Sequence, residues 1–159
     1  QGLSAPAAAL TASAFALSQV LGGVIWSIWA RRVPVRFLLS LTGFSITLGA
    51  MGIAASGSLG WGIAAATALG IGIGGVHFLI RLVWADYYGR TNLASIRGLT
   101  LPVQIAGQTI GPITSGYLFD VTGTYTWAFF GFGSVASLGA LLVLAATPPR
   151  KQPAAPPGA

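Results

Sequence analysis

Two glutamines inside the fourth of five long apolar segments have the side chains best suited to hold a polar molecule. Gln104 and Gln108 are four residues apart, so on a helix they share one face. Pro112 follows Gln108 by four residues and has no backbone N–H to donate to the Gln108 carbonyl oxygen. Two amides and a freed carbonyl in apolar surroundings need polar partners. These partners are either a solute in a watery cavity or polar groups of neighbouring helices.

A second group of candidate binding residues comprises Gln19, His77 and Arg81. Gln19 lies within the first apolar segment, where it either faces the same cavity or bonds a neighbouring helix. His77 and Arg81 are four residues apart and share a face near the end of the third segment. There the imidazole could relay a proton and the guanidinium could attract an anion. Alternatively, His77 is simply hydrogen-bonded and Arg81 extends its guanidinium to the membrane surface.

The residues that catalysis would require are missing from the sequence. There is no Cys, no Glu and a single His, and the two acids, Asp86 and Asp120, lie at the ends of different segments. No HExxH zinc motif and no phosphate-binding GxxxxGK[ST] motif occurs. The sequence therefore predicts a protein that is not an enzyme and that holds no metal or cofactor.

The composition places these residues in a membrane protein. Of 159 residues, 54% are hydrophobic and 6% are charged, against about 25% charged residues in soluble domains. The 23 glycines are typical of membrane helices, in which small residues let backbones approach. The net charge of +6 is not clustered on one solvated face, which argues against nucleic-acid binding. We therefore expect an all-α, multi-pass membrane protein.

Hydropathy and turn signals predict five membrane-spanning helices. We expect a truncated extracytoplasmic loop at 1–4, a cytoplasmic loop at 82–98 and a disordered cytoplasmic tail at 148–159. Trp26 and Trp29 at the end of the first span are typical of an aromatic interface belt. Gly70 and Gly74 predict close packing of the third span against another helix. The predicted spans are about 5–30, 37–56, 59–81, 99–120 and 125–147.

The basic residues predict the orientation in the membrane. All eight lie at one set of span ends, namely Arg31, Arg32, Arg36, Arg81, Arg90, Arg97, Arg150 and Lys151. Cytoplasmic loops collect Lys and Arg, so this side is predicted to be cytoplasmic, with the C-terminus inside the cell. The expected location is the cell membrane.

The polar stretch 81–98 is the longest connection between spans. Asn92 is a suitable N-cap for a short helix from Leu93 to Arg97, which Gly98 would end. Asp86 and Arg90 are four residues apart and would pair if the preceding helix continued. We expect Asp86, Arg90 and Arg97 either to act as a charge latch between two conformations or to be plain solvated charges.

The same stretch carries a family resemblance. Residues 84–90 read WADYYGR and residues 96–98 read IRG, and together they resemble the connection between the tenth and eleventh helices of bacterial major facilitator superfamily transporters. Residues 116–125, GYLFDVTGTY, resemble the end of such transporters. The resemblance covers the whole chain and leans toward the branch of monocarboxylate and oxalate/formate carriers.

This resemblance implies helices eight to twelve of a twelve-helix carrier, with the N-terminal half of the chain missing. Such a carrier would move a small solute, an organic anion being one candidate, by alternating access coupled to protons or exchange. Gly111 and Pro112 would serve conformational change. The connection 27–36 departs from the family's GxxxDRxGRR motif. It keeps only Arg32 and Arg36, so these two residues are gating candidates or simply cytoplasmic arginines.

The sequence also allows a different class of protein. Five spans without an N-terminal half would suit a structural or channel-type membrane protein that is complete in five helices. The full reading frame distinguishes the two, because the transporter interpretation predicts about seven further spans upstream.

Overall fold

A computed structural model of the chain describes residues 5–88 and 93–146, which form five α-helices. Side chains are described for 5–85 and 94–146. The helices are α1 (Ala5–Trp29), α2 (Val35–Ala54), α3 (Leu59–Tyr88), α4 (Leu93–Thr122) and α5 (Thr126–Ala145). The predicted all-α fold is confirmed.

Four of the five helices are long and apolar enough to cross a membrane. They are α1, α2, α5 and the part of α3 from Leu59 to Ala85. Helix α4 has 30 residues, as many as α3, but its glutamines, threonines and two internal prolines make it less apolar. It is the helix that carries the Gln104 and Gln108 pair.

The segment predicted as a loop at 82–98 is helical over most of its length. Helix α3 continues through 82–88, where no Gly or Pro interrupts it. Helix α4 begins at Leu93 and runs through Gly98 without a break, so the prediction that Gly98 ends a short helix is wrong. A Gly inside a helix costs about 1 kcal/mol relative to Ala because of its low helix propensity. The 30-residue helix α4 contains Gly98 despite this cost. The predicted N-cap Asn92 lies outside the described residues.

Glycines bring α1 and α3 into backbone contact. A Cβ added to Gly22 of α1 would lie 2.5 Å from the Ile71 carbonyl oxygen of α3. A Cβ on Gly70 would lie 2.6 Å from the Phe15 carbonyl oxygen, and one on Gly74 would meet the backbone of Gln19. The packing face predicted from Gly70 and Gly74 is confirmed, and α1 is the helix that covers it.

Helix α2 packs on another side of α3 and also on α5. Gly49 of α2 lies against Leu69, and the Ser45 hydroxyl donates to the Ala68 carbonyl oxygen at 2.7 Å. The buried Thr47 hydroxyl lies 3.1 Å from two carbonyl oxygens, that of Gly43 in its own helix and that of Gly133 in α5. The order of neighbours is therefore α1, α3, α2, α5.

Trp26 does not lie in an interface belt, contrary to the prediction. It is 5% exposed and packs with Leu38 and Leu79 in the core shared by α1, α2 and α3. Its indole N–H donates to the Ile71 carbonyl oxygen at 3.0 Å, and its ring fills the space beside Gly75. Because this N–H is hydrogen-bonded to α3, the indole ring can be buried without a water partner. Trp29, at 50% exposure, has the accessible position expected of a belt residue.

Helix α4 packs sparingly on the rest of the molecule. Residues 101–110 are all exposed. A Cβ added to Gly107, Gly111 or Gly116 would meet no atom within 4 Å, whereas every glycine of α2 has close neighbours. The structure thus consists of four closely packed helices and one helix with most of its surface open.

Candidate functional site

The α4 surface presents both predicted glutamines. Gln104 and Gln108 are exposed in the described part of the chain, one turn apart on a continuous helix. Pro112 lies inside α4 and is exposed, so the Gln108 carbonyl oxygen receives no backbone N–H from that position. The described geometry is therefore a polar α4 face one turn before a proline that lies inside a continuous helix, and solute binding by this face stays a prediction.

Gly111 and Pro112 line an apolar cleft between α4 and α5. The cleft has a volume of about 520 Å³, and Tyr125, Phe129 and Phe132 form its aromatic wall on the α5 side. Ser115 is its polar contribution from α4, and the Ser115 hydroxyl donates to the Pro112 carbonyl oxygen at 3.0 Å. Gly111 and Pro112 thus border an apolar cleft, and their role in conformational change stays a prediction.

A larger cleft was not predicted from the sequence. Its volume is about 870 Å³, and it lies between the α2–α3 turn, the α4–α5 turn and Thr11 of α1. Phe119 and Tyr125 stack at 4.5 Å between ring centroids on its wall. The α4–α5 turn is held by Gly123, whose φ of 70° favours glycine, and by the Thr122 hydroxyl, which donates to the Thr124 carbonyl oxygen at 3.0 Å. In the sequence, only the motif GYLFDVTGTY at residues 116–125 pointed to the region around this cleft.

Gln19, His77 and Arg81 lie on α1 and α3, away from the α4 pair in the chain. Gln19 is half-buried, and its backbone carbonyl contacts Gly74. His77 and Arg81 are exposed. Because His77 and Arg81 follow Gly74 by three and seven residues, all three share a stripe of α3. The structure therefore places the Gln19 backbone at Gly74, about one helical turn of α3 before His77.

The predicted gating residues are only partly described. Arg32 is exposed in the α1–α2 turn, and Arg36 is half-buried with its guanidinium carbon 4.6 Å from the centre of the Phe37 ring. Arg97 is exposed on α4. Arg90 and the side chain of Asp86 lie outside the described residues, so the charge latch stays a prediction.

Residues able to hold a metal do not cluster in the described part of the chain. No three His, Cys, Asp or Glu side chains come together there. The polar side chains of the described residues include amides, hydroxyls, one imidazole, guanidinium groups and the carboxylate of Asp120, which can bind solutes through hydrogen bonds and charge.

The fold and its polar features define a multi-pass membrane protein with polar groups on spanning-length helices. The chain belongs to the Major Facilitator Superfamily, whose family model matches residues 1–159. The suspected resemblance is thereby confirmed at the level of the family. Proteins of this family are transporters, in agreement with the prediction that the chain is not an enzyme.

Two relatives support the same family. The chain is 32% identical over 117 residues to the MFS efflux transporter aclA of Aspergillus oryzae (strain ATCC 42149 / RIB 40), covering 74% of this chain and 20% of that protein. It is 31% identical over 75 residues to monocarboxylate transporter 2 of Mus musculus, covering 47% of this chain and 16% of that protein. The chain therefore spans a fifth or less of the length of these relatives. No solved structure matches it significantly.

Proposed function

We propose that this chain forms the C-terminal part of a secondary active transporter that moves a small solute by alternating access. The observation that carries the proposal is the contrast between α4 and the four other helices. In those four, the buried glycines all lie against neighbouring helices, and the buried hydroxyls of Ser18, Ser40, Thr42 and Thr47 all donate to backbone carbonyls. Helix α4 keeps its amides and the internal Pro112 exposed.

This contrast suits a carrier because exposed amides are unfavourable against lipid. Polar groups and irregular backbone at membrane depth are tolerated where protein covers them or where they line a water-filled cavity. Broken or proline-containing helices present binding groups to solutes in many secondary transporters. In this proposal, the α4 face with Gln104 and Gln108 lines such a cavity, opposite an N-terminal half of the same protein.

An organic anion is the solute class that the charges favour. The chain has eight basic and two acidic residues, and His77 and Arg81 are exposed on α3. The similarity to monocarboxylate transporter 2 supports this choice, and coupling would be to protons or to a counter-transported anion. We further propose a location in the cell membrane with the arginine-rich helix ends and the C-terminus in the cytoplasm.

The test uses the full-length gene product that carries this sequence, purified into proteoliposomes. We expect saturable uptake of at least one member of a panel of radiolabelled mono- and dicarboxylates. We also expect faster uptake when the same anion is preloaded inside, because a carrier returns faster when loaded. An imposed pH gradient should change the rate if protons are coupled. Conductance that neither saturates nor responds to preloading would instead establish a channel, and the absence of further spans in the reading frame would favour the five-helix alternative.

The α4 glutamines provide a residue-level prediction. We expect Gln104→Ala and Gln108→Ala each to lower uptake about tenfold, which corresponds to about 1.4 kcal/mol of lost solute binding. Amounts of protein in the membrane should stay normal. Thr109→Val is the matched control, because the exposed Thr109 hydroxyl bonds its own helix at the Ile105 carbonyl oxygen. Loss of expression in the glutamine variants with no effect on uptake per molecule would show that the amides bond neighbouring helices.

A further inference from the structure

The larger of the two clefts lies where two turns meet at one end of the helices. It is bordered by the α2–α3 turn, the α4–α5 turn and Thr11 near the start of α1. The described arginines lie toward the opposite helix ends. We call this space the turn cleft. Its volume of about 870 Å³ falls within the range of about 300–1,000 Å³ that is common for small-molecule sites.

The walls of the turn cleft are held in place by hydrogen bonds. On the α2–α3 side, the Ser56 hydroxyl donates to the Ile53 carbonyl oxygen at 2.8 Å, and the Trp61 indole N–H donates to the Gly52 carbonyl oxygen at 3.0 Å. The α4–α5 turn is held by the Thr122 hydroxyl. A site whose walls are already fixed loses little conformational entropy when a ligand binds.

Two threonines that line the turn cleft have no hydrogen-bond acceptor for their hydroxyls among the described residues. They are Thr124, just before α5, and Thr126, its first residue. Every other threonine of the described ranges donates its hydroxyl to a backbone carbonyl oxygen of its own helix. At the start of α5 no helical carbonyl precedes these two side chains by one turn. Both O–H groups are therefore available to a ligand.

The remaining lining favours a neutral aromatic ligand. The rings of Phe119 and Tyr125 stack with 4.5 Å between centroids and 20° between planes, and Phe129 lines the same cleft. Phe119 is 40% exposed and Tyr125 is 50% exposed, so both rings keep accessible surface. None of the residues that line the cleft is charged. A charged ligand would find no counter-charge there, and removing an unpaired charge from water is costly.

We propose that the turn cleft binds a neutral aromatic molecule that carries a hydrogen-bond acceptor, such as a ketone. The ligand ring packs on Phe119 and Tyr125, and the hydroxyls of Thr124 and Thr126 donate to the acceptor. The site is separate from the α4 glutamines, and its ligand differs in charge from the organic anion proposed as the transported solute. It does not depend on the transport proposal.

The test is photolabelling of the full-length gene product in maltoside detergent with benzophenone, a neutral aromatic ketone. Illuminated benzophenone inserts into neighbouring C–H bonds, and peptide mass spectrometry locates the label. The label on residues 53–62 and 119–129 is divided by the label on the exposed leucines of α5, which report on benzophenone dissolved in the micelle. These leucines are Leu138, Leu141 and Leu142.

We expect the label in the turn cleft to saturate with benzophenone concentration, whereas the label on the leucines rises in proportion to it. The carboxylate analogue 4-benzoylbenzoate tests the preference for a neutral ligand. Its ratio of cleft label to leucine label should be about tenfold lower, because the cleft offers no partner for the charge.

Substitutions identify the contacts. The double variant Thr124→Val and Thr126→Val should lower the benzophenone ratio about tenfold through the lost hydrogen bonds. Its control is Thr114→Val, because the Thr114 hydroxyl bonds its own helix and the residue does not line the cleft. Phe119→Ala should lower the ratio by a similar factor. Phe130→Ala is its matched control, since both rings are 40% exposed and Phe130 does not line the cleft.

Three results would overturn the proposal. They are cleft label that does not saturate, equal ratios for the two reagents, and a benzophenone ratio that the threonine double variant leaves unchanged. The last result would indicate an apolar occupant such as a lipid chain. Should Phe119→Ala fail to fold, the threonine variant decides alone, since neither threonine is buried. Labelling requires no transport, so a failure of uptake leaves this site standing, and absence of label leaves the transport proposal standing.

Discussion

Gly22→Ala is expected to lower the stability of the transporter substantially, whereas Gly23→Ala at the next position is not. In the first variant the new methyl group would lie 2.5 Å from the Ile71 carbonyl oxygen and 2.8 Å from the Ile71 Cα. Both atoms are backbone, so α1 and α3 must separate, and overpacking of this kind costs about 1–3 kcal/mol. In the second variant the methyl group enters open space, and the better helix propensity of Ala contributes about 1 kcal/mol in the opposite direction.

The measurement is the melting temperature of the full-length gene product in detergent, read by size-exclusion chromatography after heating. Gly22→Ala should melt below the unsubstituted protein, and Gly23→Ala should melt at the same temperature or above it. Because the two positions are neighbours in one helix, their depth in the membrane and their expression context are nearly the same. Equal melting temperatures for the two variants would show that α1 and α3 do not approach as closely as described.

Trp26→Ala is expected to have the largest effect of any single substitution in the core. The ring is 5% exposed, packs with Leu38 and Leu79, and lies beside Gly75. Truncation of a buried aromatic side chain costs about 3–5 kcal/mol, because the cavity it leaves cannot collapse fully. We expect little folded protein from this variant at 37 °C, measured as the monodisperse fraction after detergent extraction.

Two companion variants identify which part of Trp26 matters. Trp26→Phe keeps most of the ring and loses the N–H bond to the Ile71 carbonyl oxygen, which should cost about 0.5–1.5 kcal/mol. Trp29→Ala is the matched control, since Trp29 is half-exposed although its ring centre lies 6.0 Å from that of Trp26. Equal losses from Trp26→Ala and Trp29→Ala would contradict the assignment of Trp26 to the core.

Residue type and spacing predicted the helices well and their packing partners less well. The run of apolar residues predicted α1 from Ala5, and the glycine spacing predicted that Gly70 and Gly74 would be covered. The identity of the covering helix was not predictable. Small residues indicate that another helix can approach closely, but they do not indicate which helix it is. The position of Trp26 was wrongly predicted for a related reason. The indole N–H of a tryptophan near a helix end can donate to water or to a carbonyl oxygen, and the close approach of α3 supplies the carbonyl oxygen here.

The candidate site shows a similar division. The α4 glutamines were predictable because amides inside an apolar segment are rare and their spacing is visible. The contact of the Gln19 backbone with Gly74 was not, since it depends on which helix covers the glycines of α3. Within the cytoplasmic connection predicted at 82–98, helix continues further than expected at both ends, because 82–88 contain no Gly or Pro that stops α3 and α4 runs on through Gly98.

The order of neighbours α1, α3, α2, α5 has a consequence for how α3 can vary. A helix in the middle of a row gives up two sectors of its circumference, and each sector of α3 contains glycines at which an added Cβ would clash: Gly70 and Gly74 toward α1, and Gly72 toward α2. At its exposed positions, among them His77, Phe78 and Arg81, α3 accepts other side chains without such a clash. Changes of chemistry that leave the packing of α3 intact are therefore confined to its exposed residues.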